Sequence, residues 1–448
     1  MRKTLTKLLL ICMITCSLLL GTGCQSIFND STLGGGKVNS NVQSNGGPAY
    51  PTPGATGIET VIAGDKIYSS VKMNTLTERN KYDSCDQLDN AISKSVVMIN
   101  SVTPNGTSLG AGVIIDVEVK TSQNVIDNGI FVLTCAHVVS GATNVTIKIA
   151  DDYDEYETYK ISSPMQNCLV GLDQLSDLAV LRFNKEDCIT TLPQVVKAKI
   201  CDTNVNPLQR GTEVYALGNP NGVEGWASNG IISRLKNSIY LYQLGTKMQL
   251  IGTTAPINAG NSGGGLFNMY GELVGIVNAG NSSLENFAYA IPIATTTEKE
   301  DTMSLGVYNV ATQLILNKTT QTYGYVKGRI DLGAVFLYDT TYAASVSVLS
   351  NGSPIANAGI KLEDYVVTFK FSGTHNGNEV KGGADVMNYD TFFTELYKMQ
   401  TMLCEDDPIA VNFYVKRYVY VSHGYYVSYT IEDITVSVTD FYQYVYTP

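Results

Sequence analysis

Short apolar runs separated by polar turns dominate the chain between Val61 and Pro292. The runs are rich in Val, Ile, Leu and Tyr, and Gly, Asn and Asp punctuate them, which is the pattern of the short strands of a barrel or sandwich. Typical runs are Ser95–Ile99, Gly112–Ile115, Val145–Ile149, Leu178–Leu181 and Leu273–Val277. Few of them could be mistaken for helices, so the pattern predicts an all-β region.

The pattern changes after Pro292. Between Ala294 and Lys318 apolar residues recur at helical spacing, which predicts a connecting helix within residues 301–322. A second β-rich block follows from residue 323, with two short predicted helices inside it. These helices are predicted at about Ser353–Ala358 and Thr391–Met399.

The length that remains after the N-terminal region exceeds one ordinary domain. Since no internal repeat is evident, two unlike domains are the simplest account, covering residues 61–300 and 323–448. The C-terminal block is rich in tyrosine from Ile409 to Val438, and alternating tyrosines in a hairpin pack more often on a core than they form an exposed binding surface. We therefore expect these tyrosines to pack inward.

Residues 1–24 resemble the leader of a bacterial lipoprotein. Basic residues open the chain, and an apolar run from Leu8 to Leu20 follows, which has signal-peptide length and is too short to span a bilayer comfortably. The stretch Gly21-Thr22-Gly23-Cys24 resembles a lipobox, which implies lipidation at Cys24 and a lipid anchor in the cell membrane, with the protein facing the extracellular side. A plain secretory signal and an uncleaved anchor are the alternatives.

Residues 25–60 are rich in Gly, Ser, Asn and Pro, and they predict a flexible linker because so few apolar side chains cannot form a core. The formal net charge of the whole chain is −11, which argues against nucleic acid as a partner. Export would permit disulfides, although several cysteines could equally be small buried side chains. Their spacing matches no metal motif, and we expect neither a metal nor a cofactor.

Ser262 lies in the sharpest local motif, Gly260-Asn261-Ser262-Gly263-Gly264. Glycines allow the tight turn that points backbone N–H groups at one spot beside the hydroxyl, as acyl-transfer chemistry requires. Taken alone, the motif could equally be an ordinary glycine-rich loop.

A nucleophilic serine needs a base, and the chain has three histidines. His137 follows an apolar strand in Leu133-Thr134-Cys135-Ala136-His137, whereas His375 and His423 lie in turn-like segments of the C-terminal block. Asp177 stands at the start of the apolar run Leu178–Leu181, where an unpaired carboxylate would be costly to bury. A carboxylate that holds the imidazole in one tautomer would complete a triad.

These three motifs, in the order His, Asp, Ser, resemble the HtrA (Deg) family of trypsin-like serine proteases. The segments Ser108–Ile114 and Phe287–Pro292 also resemble that family, so the match covers about residues 95–292. The resemblance implies a mainly β fold with a two-barrel, chymotrypsin-like protease domain. It also implies that Ser262 is the nucleophile, His137 the general base and Asp177 the group that orients His137.

Further roles come from the same resemblance. The backbone of Gly260, Asn261 and Ser262 would form the oxyanion hole, chiefly through the N–H groups of Gly260 and Ser262. The pocket for the residue before the cut would be lined by Pro256, Ile257 and Asn258, and the substrate would pair as an added strand with Asn278, Ala279 and Gly280. Cys135 departs from the pattern, since the family usually has asparagine there.

The C-terminal block resembles the PDZ domain that often follows the protease domain of that family. The resemblance rests on Gly328–Val335 and on Gly352–Asp364, and it implies a smaller α+β domain that binds peptide C-termini by strand addition. The carboxylate-binding loop would be Asp331, Leu332 and Gly333. Glu363 stands where the family prefers glycine.

Three hypotheses follow from the sequence. The first is a serine endopeptidase of HtrA type that cleaves unfolded or damaged exported proteins at the cell envelope, for which the resemblance implies the homotrimer common in the family. The second is a catalytically weak holdase or peptide-binding surface lipoprotein on the same scaffold. The third is a structural surface lipoprotein that works through its tyrosine-rich block. Only the first explains why all three catalytic residue types occur in matching contexts.

Overall fold

The computed structural model describes residues 60–63, 66–104, 106–121, 126–127, 129–152, 157–188, 195–219, 225–241, 246–280, 288–294, 305–318, 323–326, 332–338, 344–349, 353–375, 377–384, 389–403, 408–421 and 425–438. Within these ranges the chain is mainly β-structure, as the apolar runs predict.

The N-terminal half of the described chain contributes twelve strands, and eleven of them form two sheets. In chain order they are β1 (Thr60–Ala63), β2 (Lys66–Ser69), β3 (Met73–Asn74), β4 (Val96–Thr103), β5 (Gly106–Ile115), β6 (Val119–Thr121), β7 (Ile126–Asp127), β8 (Ile130–Thr134), β9 (Asn144–Asp152), β10 (Glu157–Pro164), β11 (Leu169–Asp173) and β12 (Leu178–Phe183). Seven of them form one sheet in the order β10-β9-β4-β5-β8-β12-β11, and β1-β2-β6-β7 form a smaller one. Strand β3 belongs to the next sheet along the chain.

Most of the strands between Lys199 and Pro292 form a closed barrel. Its strands are β13 (Lys199–Cys201), β14 (Glu213–Gly218), β15 (Trp226–Leu241), β16 (Thr246–Thr253), β17 (Gly265–Asn268), β18 (Glu272–Gly280) and β19 (Ala288–Pro292). The order β17-β14-β15-β16-β19-β18 returns to β17 through the β17–β18 pairing, so six strands close a ring. Strands β13 and β3 extend the sheet beyond β18.

Short helices connect these strands. They are α1 (Cys85–Ile92), α2 (Ala136–Val139), α3 (Met165–Cys168) and α4 (Val307–Leu316), with 3₁₀ turns at Ser93–Ser95 and Lys185–Asp187. Helix α4 lies within the predicted connecting segment, and its fully buried Val307, Val310 and Leu314 belong to the main hydrophobic core. The chain then passes Gly324, which bridges to Gly171 of β11. A Cβ on Gly171 would meet the backbone of Gly324, and a Cβ on Gly324 would meet the backbone of Leu314 in α4.

The C-terminal region has its own sheet and its own core. Its elements are β20 (Ala334–Tyr338), β21 (Ala344–Leu349), α5 (Pro354–Asn357), β22 (Tyr365–His375), β23 (Asn378–Ala384), α6 (Tyr389–Met402), β24 (Ile409–Val421) and β25 (Tyr425–Val438). The sheet order is β20-β21-β22-β24-β25, and β23 pairs with β22.

Both short helices predicted in this region are present as α5 and α6. Helix α5 begins as the sequence indicates, because the Ser353 side chain accepts from the Ala356 N–H at 3.3 Å and Pro354 follows the cap. Gly359, with φ +109°, ends it in a backbone conformation that glycine adopts without strain.

The tyrosine-rich segment forms the long hairpin β24–β25, but the expectation of core packing is wrong for Tyr429. That side chain is 55% exposed, and the Lys416 ammonium lies 3.9 Å from its ring centroid. The reason is that the β22–β24 pairing ends at Tyr365 and Lys416. Within the described residues, the outer part of the hairpin therefore has no third strand to pack against.

Among the described cysteines, residues 85, 135, 168, 188 and 201 are free thiols. Burial raises the pKa of the Cys168 and Cys201 thiols to about 12, so these two behave as small buried side chains. No helix in the described ranges is both long and apolar enough to cross a bilayer.

Candidate active site

Asp177 lies in the turn that leads into β12, and it is only 1% exposed. Its φ of +49° is in the left-handed region, which aspartate tolerates better than most residues. The backbone N–H of Ala136 donates to the Asp177 carbonyl at 3.1 Å, so the turn is fixed to the end of β8. The carboxylate is therefore buried in a defined orientation.

His137 meets Asp177 because their strands pair. Strands β8 and β12 are antiparallel with Thr134 opposite Ala179, so the residues just after β8 lie beside those just before β12. The His137 N–H donates to Asp177 Oδ1 at 2.9 Å, and His137 Nδ1 lies 2.6 Å from Oδ2. Two contacts to one carboxylate fix both the backbone and the ring of the histidine.

Two opposing effects act on the pKa of His137. Burial lowers the pKa of the imidazole, but the charge of Asp177 and its hydrogen bond raise it, and the net pKa lies above the ordinary value for histidine. With Nδ1 donating to the carboxylate, Nε2 is the nitrogen that exchanges a proton with a neighbour. Within the described part of the chain this Nε2 has no hydrogen-bond partner.

Ser262 reaches the same junction from the barrel, on the loop between β16 and β17. The Ala111 N–H of β5 donates to the Ser262 carbonyl at 2.8 Å, and the Gly263 N–H donates to Val277 at 2.8 Å. Gly263 has φ +85°, and a Cβ there would collide with Ala111 and Thr134. Glycine after the serine is thus required by packing as well as by the turn.

The Ser262 hydroxyl donates to the carbonyl of Asn278 at 3.1 Å. The structure thus brings the three predicted catalytic residues to one junction, with His137 and Asp177 directly bonded and the hydroxyl directed at β18. Hydrogen bonds of catalytic groups are often loose before substrate binds.

Asn278 has a role that the sequence did not indicate. Its buried side-chain amide donates to Asp177 Oδ2 at 2.6 Å, the same oxygen that faces His137, and lies 3.9 Å from Cys135 Sγ. The register of β18 shifts between Val277 and Ala279, so Asn278 sits at a bulge, a feature that redirects side chains. A sequence signal that could have suggested this role is Cys135, which stands where the resembled family usually has asparagine.

The predicted oxyanion loop is tightly turned. Gly260 has φ +97°, and the Asn261 N–H donates to the Asn258 carbonyl at 3.1 Å while the Gly264 N–H donates to Asn261. The Asn261 N–H therefore points into the loop. Of the three predicted residues, Gly260 and Ser262 are the ones whose N–H groups remain candidates for an oxyanion.

The predicted substrate-binding residues flank this loop. Pro256 and Asn258 are exposed, and Ile257 is partly buried against the barrel core. The Ser228 hydroxyl donates to the Pro256 carbonyl at 2.7 Å, which ties this wall to β15. Ala279 and Gly280 lie at the end of β18, opposite Tyr289 and Ala288 of β19.

Among the described residues, Cys135, His137 and Asp177 place their donor atoms within 4.8 Å of one another, close enough in principle to hold a metal ion. Asp177 Oδ2 already faces His137 Nδ1 and accepts from Asn278. A metal would have to break both contacts, so the arrangement fits proton transfer better than metal binding.

In the C-terminal region, Asp331 lies outside the described residues. Leu332 is buried, and Gly333 has φ +72° and packs against Ser353. Strand β20 starts directly after this turn, and its Phe336 contacts Phe392 of α6 with ring centroids 5.1 Å apart. Strand β20 and helix α6 are therefore neighbours.

Residues 110–276 match the family model of the trypsin-like peptidase domain. The Serine protease Do-like HtrB of Bacillus subtilis is 31% identical over 271 residues, covering 57% of this chain and 52% of the relative. The Serine protease Do-like HtrA of the same organism is 29% identical over 288 residues, covering 61% and 58%. The chain thus spans little more than half the length of these relatives.

A solved structure, the serine endoprotease from Yersinia pestis, is 23% identical with a TM-score of 0.41, and the match covers 81% of this chain and 99% of that chain. The family match and the curated relatives define the class that this region resembles: residues 110–276 are similar to a trypsin-like serine peptidase domain. Within that class, the domain is similar to the HtrA-type proteases.

Proposed function

We propose that this protein is an exported serine endopeptidase of HtrA type that cleaves unfolded or damaged proteins at the cell envelope. The observation that carries the proposal is the His137–Asp177 pair, with 2.6 Å between Nδ1 and Oδ2, at the junction that also holds Ser262. A buried carboxylate that fixes the imidazole tautomer is what a serine nucleophile requires of its base.

In the first half of the reaction, Ser262 Oγ attacks the carbonyl carbon of the scissile bond and His137 Nε2 takes the hydroxyl proton. The carbonyl oxygen becomes an oxyanion, which the N–H groups of Gly260 and Ser262 stabilise. Nε2 then gives its proton to the departing amine as the C–N bond breaks. The product is an acyl-enzyme on Ser262 and a free new N-terminus.

In the second half, a water molecule gives a proton to His137 Nε2 and attacks the acyl carbon. The tetrahedral intermediate collapses when Nε2 returns the proton to Ser262 Oγ, which releases the carboxyl product. Asp177 stays ionised throughout and stabilises the imidazolium. Asn278 holds the carboxylate in place by its amide.

Substrate binding has a direct route to the nucleophile. If the substrate pairs as an added strand along Asn278–Gly280, its N–H groups compete with the Ser262 hydroxyl for the Asn278 carbonyl, which now accepts from that hydroxyl at 3.1 Å. Strand addition would thereby release the hydroxyl toward His137. The partly buried Ile257, with no acidic residue in the Pro256–Asn258 wall, favours small aliphatic side chains before the cut.

The C-terminal region is the PDZ-like part of this proposal. Strand β20 is an edge strand of the described sheet, and the turn at Leu332 and Gly333 precedes it, so a peptide C-terminus would add beside β20 with α6 as the other wall. We further propose a lipid anchor at Cys24, a location on the extracellular side of the cell membrane, and assembly as a homotrimer. The domain bounds remain residues 61–300 and 323–448, joined by residues 301–322.

Cleavage of α-lactalbumin in two states tests the function. The full chain should cut the reduced, unfolded form and leave the disulfide-bonded form intact, whereas Ser262→Ala should cut neither. Equal cutting of both forms would contradict a role in quality control. Suppression of aggregation of the reduced form without any cleavage would favour the holdase hypothesis instead.

A further inference from the structure

Trp226 is the only tryptophan of the chain, and it is 53% exposed at the first position of β15. Large aromatic side chains are usually buried, and an isolated exposed one needs no explanation unless it stands beside a site. Trp226 does so. Its backbone pairs directly with Gly218, the last residue of β14.

The pairing shows which face of the barrel Trp226 occupies. Residues directly opposite in an antiparallel pair share a face, and a Cβ built on Gly218 would lie 2.6 Å from Asn261 Oδ1. Trp226 is therefore on the face that meets the candidate oxyanion loop.

The alternation of side chains along β15 also places Trp226 on this face. Ser228, two residues on, shares the face of Trp226, and its hydroxyl bonds the carbonyl of Pro256 in the predicted pocket wall. Ile232, further along the same face, is fully buried in the barrel core. The face thus runs from the core, past the pocket wall, to an exposed indole at the open end of the barrel.

The backbone at Trp226 is held in place. The Gly225 N–H donates to Asn219 Oδ1 at 3.0 Å, and the buried Asn219 amide donates to the Val97 carbonyl of β4 at 3.2 Å. The indole is consequently presented from a backbone fixed to both sheets. A fixed backbone lowers the entropy cost of a contact between the indole and a ligand, because only the side chain has to be ordered.

We propose that Trp226 contacts a substrate side chain near the scissile bond and selects for a large apolar residue at that position. This inference rests on the proposed peptidase function and adds a second specificity element to the Ile257 wall. Burial of an indole against an apolar side chain supplies enough binding free energy for about tenfold selectivity.

Cleavage-site profiling on a library of tryptophan-free synthetic peptides tests the proposal. The wild-type chain should prefer a large apolar residue at one position within three residues of the cut. Trp226→Ala should lower kcat/KM for the preferred peptides about tenfold, and Trp226→Phe should keep most of the preference. Ile231→Ala is the matched control, because Ile231 is 41% exposed on the same strand but an odd number of residues away, on the other face.

Tryptophan emission separates this inference from the function on which it rests. In full-length Ser262→Ala, binding of the same peptides should shift the Trp226 emission to shorter wavelength and change its intensity. A wild-type chain that cuts with the same profile as Trp226→Ala, and whose Ser262→Ala variant shows no emission change, overturns the inference. A chain that cuts no peptide but shows the emission change overturns the peptidase function and leaves the contact established.

Discussion

Two buried aspartates in different parts of the molecule have similar local settings and different partners. Asp177 precedes β12 and Asp364 precedes β22, both are at most 1% exposed, and a non-glycine residue with positive φ lies at each turn, Asp177 itself and Glu363. Asp177 faces His137 and Asn278. Asp364 accepts from Nε and Nη2 of Arg417 at 2.7 and 2.6 Å and from the Lys361 N–H.

The difference lies in the cation. Arginine stays charged at any ordinary pH, and Asp364 raises the pKa of Arg417 further through its hydrogen bond. This ion pair therefore links the start of β22 to β24 at every ordinary pH. Histidine titrates near neutral pH. A buried carboxylate therefore stabilises the fold in the C-terminal region, at Asp364, and a proton acceptor in the candidate active site, at Asp177. Either aspartate pair can be disrupted by mutation while the other stays intact.

Asp177→Asn should have the largest effect on activity. The variant keeps the volume and loses the charge that fixes the His137 tautomer, so we expect kcat to fall by about 10³ to 10⁴. Peptide cleavage gives the rate, and circular dichroism with thermal unfolding shows whether the fold persists. A fall of less than tenfold with an intact fold would mean that Asp177 is no part of a triad.

The pH dependence of kcat/KM is a second test of the role of Asp177. His137 must be neutral to accept a proton, so kcat/KM should rise with pH, with a midpoint above the ordinary histidine value of about 6.5, because Asp177 raises the pKa of His137. In Asp177→Asn the raising charge is gone, and the residual activity should show a lower midpoint. An unchanged midpoint would assign the titration to another group.

Arg417→Met should have the largest effect on stability. Removal of one partner leaves the Asp364 charge buried, which costs about 3 kcal/mol of unfolding free energy. Denaturant unfolding of the full chain, followed separately by tyrosine and tryptophan emission, should place the loss in the C-terminal region. Lys381→Met removes only the exposed Lys381–Glu379 pair and should change little.

Asn278→Ala should lower kcat by about tenfold to a hundredfold, the equivalent of one hydrogen bond to a charged group. The Ser262 hydroxyl would keep its contact with the main-chain carbonyl at this position, so the loss would report on Asp177 alone. Asn237→Ala is the control, since the Asn237 amide bonds Leu250 away from the site. Equal rates for the two variants would remove Asn278 from the catalytic account.

Glu363→Gly should have the smallest effect, a gain of about 0.5 to 1 kcal/mol in unfolding free energy. Glu363 has φ +65°, where a side chain is strained and glycine is not. Glu379→Gly, at the second position of strand β23, should lose stability by a similar amount. A loss in both variants would show that the turn at Glu363 is not strained.

The sequence was a good guide where one local pattern decides the structure. Alternating apolar runs predicted the strands, and Pro354 and Gly359 predicted the ends of α5. It also placed His137, Asp177 and Ser262 as candidates, since each has a distinctive local motif, and the structure brings them together.

What the sequence missed depends on contacts between distant segments. The amide of Asn278 reaches Asp177 only because a bulge in β18 redirects it, and alternation along the strand cannot reveal a bulge. The exposure of Tyr429 depends on where β22 stops beside β24, which the tyrosine pattern does not show. The resembled family prefers glycine at position 363, and only the φ of +65° at Glu363 in the structure explains why.

The central claim is that Ser262 is a nucleophile activated by His137 and Asp177. The most direct measurement is labelling of the full chain with a fluorophosphonate probe, followed by peptide mapping, with Ser262→Ala and the equally buried Ser101→Ala in parallel. We expect one adduct, on Ser262, present in the wild type and in Ser101→Ala and missing from Ser262→Ala. No adduct on the wild type, or an adduct that survives in Ser262→Ala, would contradict the account.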